Sequence, residues 1–181
     1  MNEKITEANR SCVDLIDEMN KDWKIVRPDL DPFPLEIVGR VLVLAQRLEA
    51  RVTAVLSKHE LSLGQFDILA TLRRQKSAEG MTPSQIMKSV VLSSGGMTNR
   101  LDRLENAGLI ARRDDPTDRR NVLVVLTEKG CERIDHATDD RFKEAHEALP
   151  PLSQEHLMQL AHMLRVWLLY WPDNRSNPEK A

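Results

Sequence analysis

The stretch from Arg112 to Gly130 reads RRDDPTDRRNVLVVLTEKG. Two strand-like segments, Leu109 to Arg113 and Asn121 to Leu126, flank a charged turn of Asp114, Asp115, Pro116, Thr117 and Asp118, with Arg119 and Arg120 behind it. Proline presets φ, and aspartate bonds its own backbone two residues on, so this composition predicts a turn. In the second segment Val122, Val124 and Leu126 alternate with Leu123 and Val125, so that strand is apolar on both faces. The stretch predicts a hairpin whose tip carries acids and arginines.

The residues upstream give the hairpin its context. In MTPSQIMKSVVL, Thr82 suits the N-cap, Pro83 the first helical position, and Gln85 the place where a capping box holds Glu or Gln. A short helix follows, to about Val91. In SSGGMTNRLDRLENAGLI, Ser93 or Ser94 caps a helix from Ser94 to Ala107. Met97, Leu101 and Leu104 face inward and Gly108 stops it. An earlier helix, Leu63 to Gln75, has Ser62 as its cap with Gln65 three residues on. Helix, turn, helix and hairpin in this order predict a winged helix-turn-helix. The fold class expected is mainly α, with a small β-hairpin wing.

Helices flank this core on both sides. Cys12, Val13, Ile16, Met19 and Trp23 give one apolar face to a helix from Ile5 to Trp23, which the prolines of RPDLDPFP end. Leu35 to Ser57 is a long amphipathic helix. Thr127 caps a helix from about Glu128 to Ala148, and Ser153 one from Gln154 to Trp171. The last is apolar nearly all round and needs cover on both sides, which implies a subunit interface. The division expected is therefore 1–34 as an extra N-terminal helix and Pro-rich connection, 35–60 as a long dimerisation and scaffold helix, 61–127 as the winged domain, 128–172 as C-terminal dimerisation helices and 173–181 as a flexible tail.

Composition narrows the function. Of 181 residues 41% are hydrophobic, 30% charged and 4% aromatic, with a formal net charge of -2. A binder that is basic throughout is excluded, so any nucleic-acid role rests on a local cationic surface. Cys12 and Cys131 are too few for a disulfide framework and suit a reducing compartment. The N-terminus lacks the apolar segment of a signal peptide, and no apolar run approaches the roughly 20 residues that span a bilayer. A cytoplasmic protein is expected, with no membrane partner. His59, His136, His146, His156 and His162 show no metal-ligand spacing, and no phosphate-loop or nucleophile-elbow motif is present, so neither an enzyme nor a cofactor is expected.

The helix Ser94 to Ala107 turns Ser94, Gly95, Thr98, Asn99, Asp102 and Arg103 outward, side chains suited to base edges and phosphates. The start of the next-upstream helix offers Thr82, Ser84 and Gln85 near a phosphate. Arg119 and Arg120 at the wing tip suit a narrow minor groove, and Asp118 aims them. A solvated charged hairpin alone would be weak evidence; the order of the elements carries the reading.

The text SSGGMTNRLDRLENAGLIARRDDPTDRRNVLVVLTEKG resembles the recognition helix and wing of MarR-family transcriptional regulators. The resemblance covers nearly the whole chain. It implies a homodimer with interlocked terminal helices, two wings on one palindromic double-stranded operator, and half-sites about 10 base pairs apart. Trp23 followed by RPDLD, LGQFDILATLRR and GGMTNRLDRLE are similar to the PecS-like, urate-responsive branch. That similarity implies a ligand site of Trp23, Asp67, Arg100 and Arg112, with Arg113 as the alternative to Arg112. The chemistry fits a flat oxidised purine such as urate or xanthine, which needs a stacking surface, a cation and an acceptor. The expected function is a repressor released by such an anion. Two alternatives stand beside it: a sensor of oxidants through Cys12 or of a phenolic ligand, and a helical scaffold that binds no DNA.

Overall fold

A computed structural model describes residues 13–75, 80–90, 96–118 and 120–171. The elements are α1 (Leu15–Val26), α2 (Phe33–Ser57), α3 (Leu63–Gln75), α4 (Pro83–Ser89), α5 (Met97–Asn106), β1 (Ile110–Asp114), β2 (Val122–Leu126), α6 (Glu128–Glu147) and α7 (Gln154–Tyr170). Two units are present, one comprising Met1–Glu49 with Leu149–Ala181 and the other Ala50–Ala148, and their boundary falls within α2.

The second unit holds the winged core. Ile68, Leu69 and Leu72 on α3, Ile86 on α4, Leu101 and Leu104 on α5 and Ile134 and Ala137 on α6 are buried in one cluster. α3 carries six consecutive buried residues, Asp67 to Leu72, because it packs against α4, α5, β2 and α6. Local chemistry starts these helices. Ser62 and Gln65 bond each other's backbone N–H at 3.3 and 2.9 Å, and Thr82 and Gln85 do so at 3.2 and 2.8 Å. Each reciprocal pair satisfies donors that the first helical turn leaves open.

β1 and β2 pair antiparallel, with Ile110 opposite Leu126 and Asp114 opposite Val122. Both strands begin one residue later than the sequence suggests. Val124 is fully buried, and it also exchanges backbone hydrogen bonds with Met81 on its other side, N–H to carbonyl, at 2.8 and 3.0 Å. Leu123, Val124 and Val125 are all buried, so successive side chains on opposite faces of β2 are covered, as its apolar pattern requires.

Two glycines set the joints of this core. Gly108, at φ 70°, follows the C-cap Ala107, and its N–H reaches the carbonyl of Glu105 at 2.8 Å while that of Leu109 reaches Leu104 at 2.9 Å. This double bond pattern closes the helix and needs a residue at home with positive φ. Gly130, in the first turn of α6, lies against Leu109, where a Cβ would overlap the carbonyl oxygen. Thr127 locks the same junction, its hydroxyl donating to the Gly108 carbonyl at 2.7 Å and its N–H to that of Leu109 at 3.1 Å.

In the first unit, among the described residues, the helix expected from Ile5 to Trp23 corresponds to one running from Leu15 to Val26. Asp14 is an extended N-cap that accepts from the N–H groups of Ile16 and Asp17, and Asp17 bonds back to Asp14 N–H. Ile5 to Cys12 lie outside the described residues. The apolar face expected there is not buried: Val13, Met19 and Trp23 are exposed, and only Ile16 is covered, lying against Gly39 of α2. Charge holds α1 instead. Arg40 on α2 bonds Asp14, Asp17 and Glu36 at once, and Asn20 donates to Glu36 at 2.9 Å. α7, capped by Ser153, buries none of its residues. No described helix is long and apolar enough to cross a membrane.

Candidate nucleic-acid interface

α5 is amphipathic because Met97, Leu101 and Leu104 fall on one face, and all three are buried. The opposite face leaves Thr98, Asn99 and Arg103 exposed. The helix starts at Met97, later than expected, and its N-cap is Gly96 at φ 77° with no side-chain cap, so no serine holds that position. Ser93, Ser94 and Gly95 lie outside the described residues. On α4, Ser84 and Gln85 are exposed and Thr82 is half-buried. The hydroxyl oxygen of Thr82 and the amide oxygen of Gln85 are occupied by the capping box.

The wing turn is ordered by its acids. Asp115 accepts from the N–H and hydroxyl of Thr117, at 2.8 and 2.6 Å, and from the N–H of Asp118. Those donors, the Thr117 side chain first, hold its carboxyl below the usual carboxylate range. Asp118 accepts from Arg120 Nε at 3.1 Å and from Arg120 N–H at 3.1 Å. The Arg120 side chain is nonetheless 91% exposed, so its charge stands in solvent at the tip. Arg119 lies outside the described residues.

Asp102, grouped by spacing with the outward reading residues, is turned elsewhere. Arg112 on β1 donates through Nη2 to Asp102 at 2.7 Å and through Nη1 to Glu105 at 2.6 Å. Asp102 and the neighbouring Glu105 hold the Arg112 guanidinium above its ordinary pKa. Arg113 is exposed. This three-residue cluster was missed because strand and helix are distant in local pattern; the visible signal was two carboxylates three apart on one helical face.

Of the residues implied for a ligand site, Asp67 is 8% exposed on α3. The Arg100 side chain, on α5, lies across Gly64 of α3, where a Cβ would sit 2.7 Å from Arg100 Nε. Asp67, Arg100 and Arg112 belong to the winged unit, and Trp23, 45% exposed, to the other. A groove of 450 Å³ between α3 and α6, lined by Phe66, Ala70, Arg73, Arg74 and Phe142 among others, has no counterpart in the sequence reading. Among the described residues no group of three or more His, Cys, Asp or Glu could hold a metal ion. Cys131 is a half-buried thiol, and Cys12 lies outside the described residues.

Residues 61–122 match the MarR family. The chain is 34% identical over 149 residues to the HTH-type transcriptional regulator PecS of Dickeya dadantii, a span of 82% of this chain and 90% of that protein. Among solved structures, a mutant MarR from E. coli complexed with operator DNA has a TM-score of 0.63 at 24% identity, covering 86% of this chain and 99% of the other. Bordetella bronchiseptica BpsR, whose DNA binding is regulated by 6-hydroxynicotinic acid, has a TM-score of 0.66 at 24% identity, covering 77% and 96%. These two likenesses agree with the winged-helix arrangement of α3 to β2, and similarity to PecS over 90% of that protein's length decides the kinship: the chain belongs to the MarR family.

Proposed function

We propose that this chain is a cytoplasmic transcriptional repressor that binds a palindromic double-stranded operator as a homodimer and is released by a small anionic aromatic effector. The observation that carries the DNA reading is the surface formed by one connected element pair. The exposed face of α5 presents Thr98, Asn99 and Arg103, and the wing that follows it presents an exposed Arg120. Helical side chains of these types fit major-groove edges, and an arginine on a hairpin tip fits the negative potential of a narrow minor groove. Ser84 and Gln85 would contact backbone phosphate, and Ser94 and Arg119 complete the set by position in sequence. Since the net charge is -2, the attraction must come from this local surface. The solved relative bound to operator DNA supports the same use of the fold. The test is binding to duplex DNA against salt: log affinity should fall linearly with log salt concentration, and a flat response removes the reading.

The effector reading rests on Asp67, Arg100 and Arg112. Arg100 lies on the helix that reads DNA, so a ligand that engages it gains a differential hold on two positions of that helix. Arg112 would have to exchange Asp102 and Glu105 for the ligand. Regulation of BpsR by 6-hydroxynicotinic acid shows an effector of this chemical kind on a related fold. Urate, xanthine and hypoxanthine titrated into a protein–operator complex test the proposal; if none releases DNA at millimolar concentration, the purine assignment is withdrawn. Trp23→Ala in the same titration tests the part that resemblance gives that residue. The bare apolar surface of α7 supports the homodimer, and sedimentation should give a dimer mass.

A further inference from the structure

The recognition helix carries two acids where a DNA-binding surface has least use for them. Asp102 and Glu105 sit one turn apart on α5, Asp102 next in sequence to the exposed Arg103. Both carboxylates converge on one guanidinium, that of Arg112, through separate nitrogens at 2.7 and 2.6 Å. The backbone under Arg112 is fixed, because it pairs with Val124, which is fully buried and bonded to Met81 on its far side. The peptide link from α5 to β1 is only the turn at Ala107, Gly108 and Leu109. A planar guanidinium held at two points resists rotation as well as separation, which a single point charge does not.

We propose that Asp102 and Glu105 are positioning residues for DNA recognition: with Arg112 they form a strut that sets the angle between the recognition helix and the wing. The proposal rests on the DNA-binding reading above. Its physical content is a contest between two effects of opposite sign. Removing carboxylates from a DNA-facing helix weakens repulsion of phosphate, and on charge alone it tightens binding. Removing them also frees the helix to turn against the wing, so that α5 and Arg120 no longer meet their two grooves in one pose. The strut outweighs the repulsion because binding needs both elements in register.

The probe is the duplex that the wild-type protein selects from a random-sequence library, and affinity is read by fluorescence anisotropy at one salt concentration. The variant Asp102→Asn with Glu105→Gln removes two negative charges, a net change of about +2, and should bind that duplex at least about tenfold more weakly, while its affinity for unselected duplex stays the same or rises. A reversed pair, Glu105→Arg with Arg112→Glu on an Asp102→Asn background, conserves charge in the swap and loses only the one negative charge of Asp102, and should bind more tightly than the neutral variant. Circular dichroism and thermal melting report whether each is folded. Wild-type protein that selects no duplex sinks the DNA reading itself. Wild-type binding with a neutral variant that binds the selected duplex as tightly or better overturns the strut and leaves the DNA reading standing. Should the neutral variant not fold, the reversed pair decides against Arg112→Glu alone: no recovery of binding overturns the proposal.

Discussion

Gly130 shows how one residue can fix a junction. Its Cα faces the Leu109 carbonyl so closely that a methyl group has no room, and the obstacle is backbone, which cannot swing aside. Gly130→Ala should therefore cost about 2–3 kcal/mol of stability, read as a shift in denaturant midpoint, as overpacking against fixed structure does. A loss of a few tenths would show that the α6 start can shift freely. At the proposed interface, Arg103→Ala and Arg120→Ala should each weaken operator binding, Arg120→Ala mainly on sites with A·T-rich flanks. Filter binding or anisotropy on paired duplexes checks this, and unchanged affinity in both variants would contradict the docking. The exposed positions of Thr98, Asn99, Arg103 and Arg120 were legible in the sequence because spacing alone assigns a helix face and a turn. The Arg112 pairing was not, since which of several acids an arginine meets depends on the register between strand and helix.

Among the elements, α1 is held by charge more than by apolar burial. Arg40 keeps Glu36 below the usual carboxylate range, and the backbone N–H of Asp17, with Arg40, does the same for Asp14. Both shifts are downward, so their stabilisation is present above the ordinary carboxylate range and is lost as pH falls through the depressed values. Amide exchange in α1, corrected for intrinsic rate, should therefore accelerate below about pH 4, and Arg40→Ala should give the same opening at neutral pH. Equal protection at both pH values would mean that α1 is fixed by something other than Arg40. The cap boxes at Ser62–Gln65 and Thr82–Gln85 and the stop at Gly108 could be read directly, because cap chemistry involves residues two to five apart. The start of α1 could not: the apolar spacing from Val13 to Trp23 continued across Asp14, where a competing side-chain bond to the backbone ends helical geometry.

For the molecule as a whole, α7 carries a broad unanswered apolar surface among the described residues. Met158, Met163, Val166, Leu168, Leu169, Tyr170 and Trp171 are all exposed on or beside it. The all-round apolar pattern was plain in the sequence, but pattern alone names no partner. If a second copy supplies the cover, stability follows mass action, and the melting midpoint should fall on dilution; a hundredfold change in concentration corresponds to about 2.7 kcal/mol. A midpoint independent of concentration would argue for a stable single chain. The bare α7 also bears on inheritance. A copy with a disabled wing and an intact last helix would still occupy a place in the pair, so producing it alongside the normal copy should silence more molecules than simple dilution accounts for.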